Sequence, residues 1–163
     1  MTTIAYRSGI MVSDSCYSHG GTVDTLLSKI YRLKSGALLG QSGENDAREF
    51  IDLLNNVKSE RGLPTRKVLI EIRADFLGLL VLRTGSIYKI NTSIVSVGNW
   101  AKSDDNDIAD IGVWKISRTF AAIGAGSDFA MGAMAHGATA EQAVAIACRF
   151  DTASRPPLHR ASL

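Results

Sequence analysis

The chain opens with an alternating, β-branched pattern. "TIAYRSG" and "GIMVSDS" read as two strands joined by a turn at Ser8 and Gly9. "SHGGT" at 18–22 reads as loop. A second hairpin is expected through "LLSKIYRLKSGALLGQSG", turning at Lys34, Ser35 and Gly36. Then the period changes. In "ENDAREFIDLLNNVKSERG" the apolar residues Ala47, Phe50, Ile51 and Leu54 recur at i, i+3, i+4 and i+7, one face of an amphipathic helix. Gly62 and Pro64 break it. A second helix is expected through "TRKVLIEIRADF", with Leu69, Ile72 and Phe76 on one stripe.

"LGLLVLRTGSIYKIN" reads as a hairpin turning at Thr84, Gly85 and Ser86. Residues 91–118 have no clear period, and "KSDDNDIAD" within them is polar, acidic and expected to be an exposed loop. "FAAIGAG" at 120–126 reads as a buried strand running into a glycine turn. A third helix is expected from Ser127 to near Gly137. A fourth starts at Thr139, where "TAEQ" is a capping box. The last stretch, "DTASRPPLHRASL", has two adjacent prolines and no period. The order is strands, two helices, strands, two helices, an α+β pattern. Two arrangements cover the apolar faces: four layers, with helices outside two packed sheets, or a plainer two-layer domain.

A chain of 163 residues fits one domain with its own core. The 45% hydrophobic and 21% charged content is that of an ordinary soluble globular protein. The net charge is +2 and dispersed, which argues against nucleic acid or a membrane surface as the main partner. The longest apolar run, "FLGLLVL" at 76–82, is too short to cross a bilayer, and the start lacks a secretory signal's layout. Cys16 and Cys148 form neither a metal-spaced pair nor a disulfide framework, so a reducing cytoplasm fits. His19, His136 and His159 share no ligand spacing, and no metal is expected.

Four stretches carry a resemblance: "TTIAYRSGIMVSDS", "SKIYRL", "GALLGQSGENDAREF" and "AAIGAGSDFAMGAMAHGATAEQAVAIA". In this order and spacing the chain resembles the proteasome β-subunit family, including its bacterial relative HslV, the peptidase partner of an ATPase. The resemblance covers nearly the whole chain and is best at both ends. It implies a four-layer αββα N-terminal-nucleophile (Ntn) hydrolase, assembled into stacked homo-oligomeric rings with the active sites inside. It also implies a threonine endopeptidase acting on polypeptides, an AAA+ ATPase ring partner, no cofactor, and removal of Met1.

The implied chemistry is physically sound. A threonine hydroxyl is a poor nucleophile unless a base takes its proton. A free α-amine titrates at about 7.7–8.0, so it can be that base, and no histidine is needed. By the resemblance, Thr2 is the nucleophile. Lys29 is the active-site lysine, whose charge favours the neutral amine and the alkoxide. Asp14 orients Lys29, and Gly43 offers its N–H as the oxyanion hole, with a following helix whose dipole would assist. Asp151 and Ser154 match a late aspartate and serine near the threonine amine. For substrate binding, the resemblance assigns Gln41, Asn45 and Leu27 to the first specificity pocket and Ser18 to the substrate backbone.

One position departs from the family. Where a serine commonly follows the Ile-Gly pair, this chain has Ala125, whose side chain neither donates nor accepts. Ser127, water or a weaker site are the open consequences. The segment 91–117 is longer than its HslV counterpart and reads as either a ring-contact or gate insertion or a plain loop. Two other functions stay open: a catalytically silent ring subunit, and an amide hydrolase acting on small molecules.

Overall fold

A computed structural model describes residues 2–19, 22–24, 28–43, 48–64, 76–95 and 108–163. Within them the chain is α+β, with two antiparallel sheets of four and five strands. β1 (Thr3–Arg7) and β2 (Ile10–Ser13) form the predicted first hairpin. Its turn residues have positive φ, 52° at Ser8 and 81° at Gly9, the backbone that matches strand twist in a two-residue connection. β3 (Tyr17–His19) and β4 (Thr22–Asp24) pair as a separate two-stranded ribbon. This corrects the loop expected at 18–22: strand residues flank the glycine pair on both sides.

β5 (Ile30–Arg32) and β6 (Leu38–Gly43) form the second hairpin as expected, and α1 (Arg48–Leu54) lies inside the first predicted helix. Most of the second predicted helix, 65–75, is outside the described residues. Phe76, expected on its stripe, is the first residue of β7 (Phe76–Val81) and is buried. An apolar run with β-branched neighbours serves either period, and cross-strand pairing decided it. β8 (Ile87–Val95) and β9 (Ile108–Ile116) are long paired strands. Residues 108–110, expected in an exposed loop, therefore belong to a ladder, while 96–107 lie outside the described residues.

β10 (Phe120–Gly124), α2 (Ser127–Ala135) and α3 (Ala140–Phe150) follow the prediction, and the capping box at Thr139 is made in both directions. β11 (His159–Ser162) was not anticipated, and it closes the sheet edge beside β2. The four-stranded sheet runs β10-β1-β2-β11, the five-stranded sheet β5-β6-β7-β8-β9.

Three apolar clusters explain the stacking. Ala140, Ala143 and Val144 of α3 press on Ala5 and Val12, one face of the four-stranded sheet. The opposite face gives Ile4, Tyr6 and Met11 to a cluster with Leu38, Leu79 and Val81 of the second sheet. The far side of that sheet buries Leu39, Leu80 and Tyr88 with Leu54 of α1. β1 is thus covered on both faces, which is why four of its five residues are buried. Complete burial of a side chain such as Ile4 contributes about 1.5–3 kcal/mol. Among the described residues no helix is long and apolar enough to cross a membrane.

Candidate active site

The start of β1 lies between β2 and β10, and the candidate residues converge there. Asp14 follows the last residue of β2 and is completely buried. Its Oδ1 accepts from Lys29 Nζ and from Thr3 N, each at 2.9 Å. Its Oδ2 accepts from Cys16 N at 2.9 Å and Arg155 N at 3.1 Å. A carboxylate has about four acceptor positions, and here four donors fill them. Lys29, just before β5, also donates to the carbonyl of Cys16 at 2.5 Å. The lysine side chain is 10% exposed and the aspartate 0%, so the charges neutralise each other away from water.

Thr2 is 3% exposed, and its carbonyl accepts from Ala125 N at 2.7 Å. Two glycines make the approach possible. Gly124 has φ +93°, and a Cβ there would fall 1.9 Å from Thr2 O. A Cβ on Gly126 would fall 2.3 Å from Thr3 Oγ1 and 3.1 Å from Asp151 Oδ2. The "GAG" turn is therefore a requirement of close packing against the two threonines. Ser127 starts α2. The backbone N–H of Gly126 donates to Thr3 Oγ1 at 3.0 Å.

Asp151 is delivered by α3, whose C-cap it is. A carboxylate at a helix C-terminus opposes the dipole, at a cost of about 0.3–1 kcal/mol. Compensation comes from Ala153 N at 3.2 Å and from the Ser154 hydroxyl, which donates to Asp151 Oδ2 at 2.5 Å. Ser154 Oγ in turn lies 2.5 Å from Thr3 Oγ1. Asp151 and Ser154 thus join the centre by way of Thr3, a residue that sequence reasoning missed. The repeated threonine in "MTTIAY" was the only signal for it.

The structure brings Thr2, Asp14, Lys29, Asp151 and Ser154 together. Gly43 ends β6, exposed, with φ +126°. Residues 44–47, which would carry a helix dipole up to it, lie outside the described residues. So do Leu27 and Asn45. Ser18 is placed in β3, and Gln41 is buried on β6 at 7% exposure. Ser42, also missed, is 8% exposed and lies against the same turn: its Oγ would be 3.2 Å from a Cβ on Gly124. Cys148 is half-buried on α3, and burial, reinforced by the charges of Asp14 and Asp151, pushes its thiol up to about 11. A thiol in that state is a poor nucleophile. Among the described residues no group of three or more metal-ligating side chains forms.

No protein-family model and no curated protein matches the chain. A solved structure does: Thiobacillus denitrificans BPH, with a TM-score of 0.59 and 19% sequence identity, over 99% of this chain and 96% of that one. At that identity the likeness is one of fold, and it extends across both sheets and the helices around them.

Proposed function

We propose that this chain is a proteasome β-type, HslV-like threonine peptidase subunit with the four-layer αββα architecture of the Ntn hydrolases. The observation that carries the reading is the shared carboxylate: Asp14 Oδ1 binds both Lys29 Nζ and the amide that follows Thr2. A buried ammonium is thereby fixed beside the backbone of Thr2, where it favours a neutral amine and an alkoxide.

On this reading, cleavage of the bond between Met1 and Thr2 frees the amine. Thr2 Oγ bonds to the scissile carbonyl carbon while its proton passes to that amine. The carbonyl oxygen becomes an oxyanion, held by Gly43 N–H. The carbon–nitrogen bond then breaks, and the proton leaves with the departing amine. Water hydrolyses the ester and restores Thr2. Gln41, with Ser18, Leu27 and Asn45, would form the substrate-binding wall, and a polar Gln41 argues against an apolar pocket floor. Polypeptide substrates, stacked homo-oligomeric rings, an AAA+ ATPase ring partner and a cytoplasmic location belong to the same proposal.

A second reading, a silent ring subunit of the same fold, is favoured by one observation: Ala125 supplies only its backbone N–H to Thr2. Intact mass with and without an N-terminal-threonine-directed electrophile separates the two. Loss of Met1 and an adduct abolished by Thr2→Ala are expected. A protein that retains Met1 and never forms the adduct is the silent subunit.

A further inference from the structure

We propose that Thr3 is a positioning residue for the reaction at Thr2, acting through a buried chain of hydroxyls that ends on Asp151. The inference rests on the N-terminal threonine reading above. The direction of the chain follows from counting protons. Ser154 has one hydroxyl proton and donates it to Asp151 Oδ2 at 2.5 Å. Across its 2.5 Å contact with Thr3 Oγ1, Ser154 must therefore accept, and Thr3 donates. Thr3 Oγ1 in turn accepts from Gly126 N at 3.0 Å. The Thr3 hydroxyl is thus occupied on both sides in a dry environment, Thr3 being 0% and Ser154 2% exposed. Aligned hydrogen bonds in such surroundings polarise and strengthen one another.

The same residue is gripped at its backbone. Thr3 N donates to Asp14 Oδ1 at 2.9 Å, and the carbonyl on the other side of that peptide, Thr2 O, accepts from Ala125 N at 2.7 Å. Two carboxylates, Asp14 at the backbone and Asp151 at the side chain, hold Thr3 from separate directions. The peptide that follows Thr2 is held at both its carbonyl and its N–H, which fixes the Cα of Thr2 from which the amine and the side chain extend. The adjacent threonines have different tasks: the second is locked so that the first is aimed. A misplacement of about 1 Å at a reacting group lowers a rate by roughly a hundredfold.

The test compares Thr3→Val, which keeps the shape and removes the hydroxyl, with Thr3→Ser, which keeps the hydroxyl. Both are assayed as full chains for hydrolysis of a fluorogenic peptide and for Thr2 adduct formation. Thr3→Val is expected to lower kcat by about 10- to 100-fold with KM within about twofold, because Thr3 itself touches no substrate. Thr3→Ser is expected to restore kcat to within about threefold of wild type. Ser154→Ala cuts the chain one link further on and guards against misfolding of the valine variant, with a kcat loss of the same sign expected. A folded Thr3→Val or Ser154→Ala protein with wild-type kcat overturns the inference alone. A wild-type protein that forms no Thr2 adduct overturns the peptidase reading, and this inference with it.

Discussion

Lys29 Nζ lies 2.9 Å from Asp14 Oδ1, with the aspartate fully buried and the lysine nearly so. Removing one member of a buried pair strands the other, at a cost of about 3–5 kcal/mol. Asp14→Asn should lose that much in urea unfolding, and Thr2 adduct formation with it. Asp14→Asn combined with Lys29→Met should recover only part of the stability, because an amide nitrogen cannot accept from the backbone N–H groups of Cys16 and Arg155, and none of the reactivity. If the double variant reacts like wild type, the pair is structural and has no part in the chemistry.

Gly124 and Gly85 offer a matched comparison. Both have positive φ, +93° and +82°, but nothing lies within 4 Å of a Cβ on Gly85, while Thr2 O lies at 1.9 Å from one on Gly124. Gly85→Ala carries only the backbone penalty, about 1–3 kcal/mol. Gly124→Ala adds a backbone clash and should displace Thr2. Thermal unfolding together with adduct formation checks this: reactivity is expected to survive at position 85 and vanish at position 124. Equal behaviour would mean that the turn does not set the position of Thr2.

These glycines also mark the limit of what the sequence disclosed. The hairpins at Ser8 and Gly9 and at Thr84 to Ser86 were legible, because turn chemistry is local. The helix at Thr139 was legible through its capping box. The strands at Tyr17–His19 and His159–Ser162 were not, since short polar segments become strands only when a distant partner presents an edge. The site divides in the same way. Thr2, Lys29 and Asp14 were singled out as candidates by resemblance. The part played by Thr3, and the route by which Asp151 reaches it, depend on side-chain directions that no spacing encodes.

The capping box should behave as a local device. Gln142 N donates to Thr139 Oγ1 at 3.2 Å and Thr139 N donates to Gln142 Oε1 at 2.9 Å. Thr139→Ala is expected to cost about 1 kcal/mol in chemical unfolding. Because α3 reaches the site at its other end, near Asp151, adduct formation should stay at the wild-type rate. A lost adduct would show that the whole helix shifts when its first turn loosens.

Cys148 gives a pH-dependent readout. Its thiol is raised from 9.0 to about 11 in the folded protein. Only the thiolate reacts with alkylating agents. At pH 8 the folded protein should be alkylated at Cys148 about a hundredfold more slowly than the unfolded chain. The folded rate should keep rising toward pH 11, whereas the unfolded rate levels off above 9.0. Between those values the unfolded chain ionises first, so this group lowers stability as pH rises through the window. Equal alkylation rates at pH 8, measured on the Cys148 peptide by mass spectrometry, would contradict the half-buried placement.

The strand order β10-β1-β2-β11 has a consequence for the timing of synthesis. The two strands that lead into the site are made well before both of their outer neighbours, β10 and β11, which lie far downstream. Thr2 has no Ala125 to hold its carbonyl, and Asp14 no Arg155 amide to complete its carboxylate, until those residues leave the ribosome. Such long-range closure is slow, because the loop entropy must be overcome before the contacts form. A half-made chain therefore contains every residue of its first hairpin and no assembled centre. On the peptidase reading, this ordering keeps an emerging subunit harmless to itself and to its neighbours.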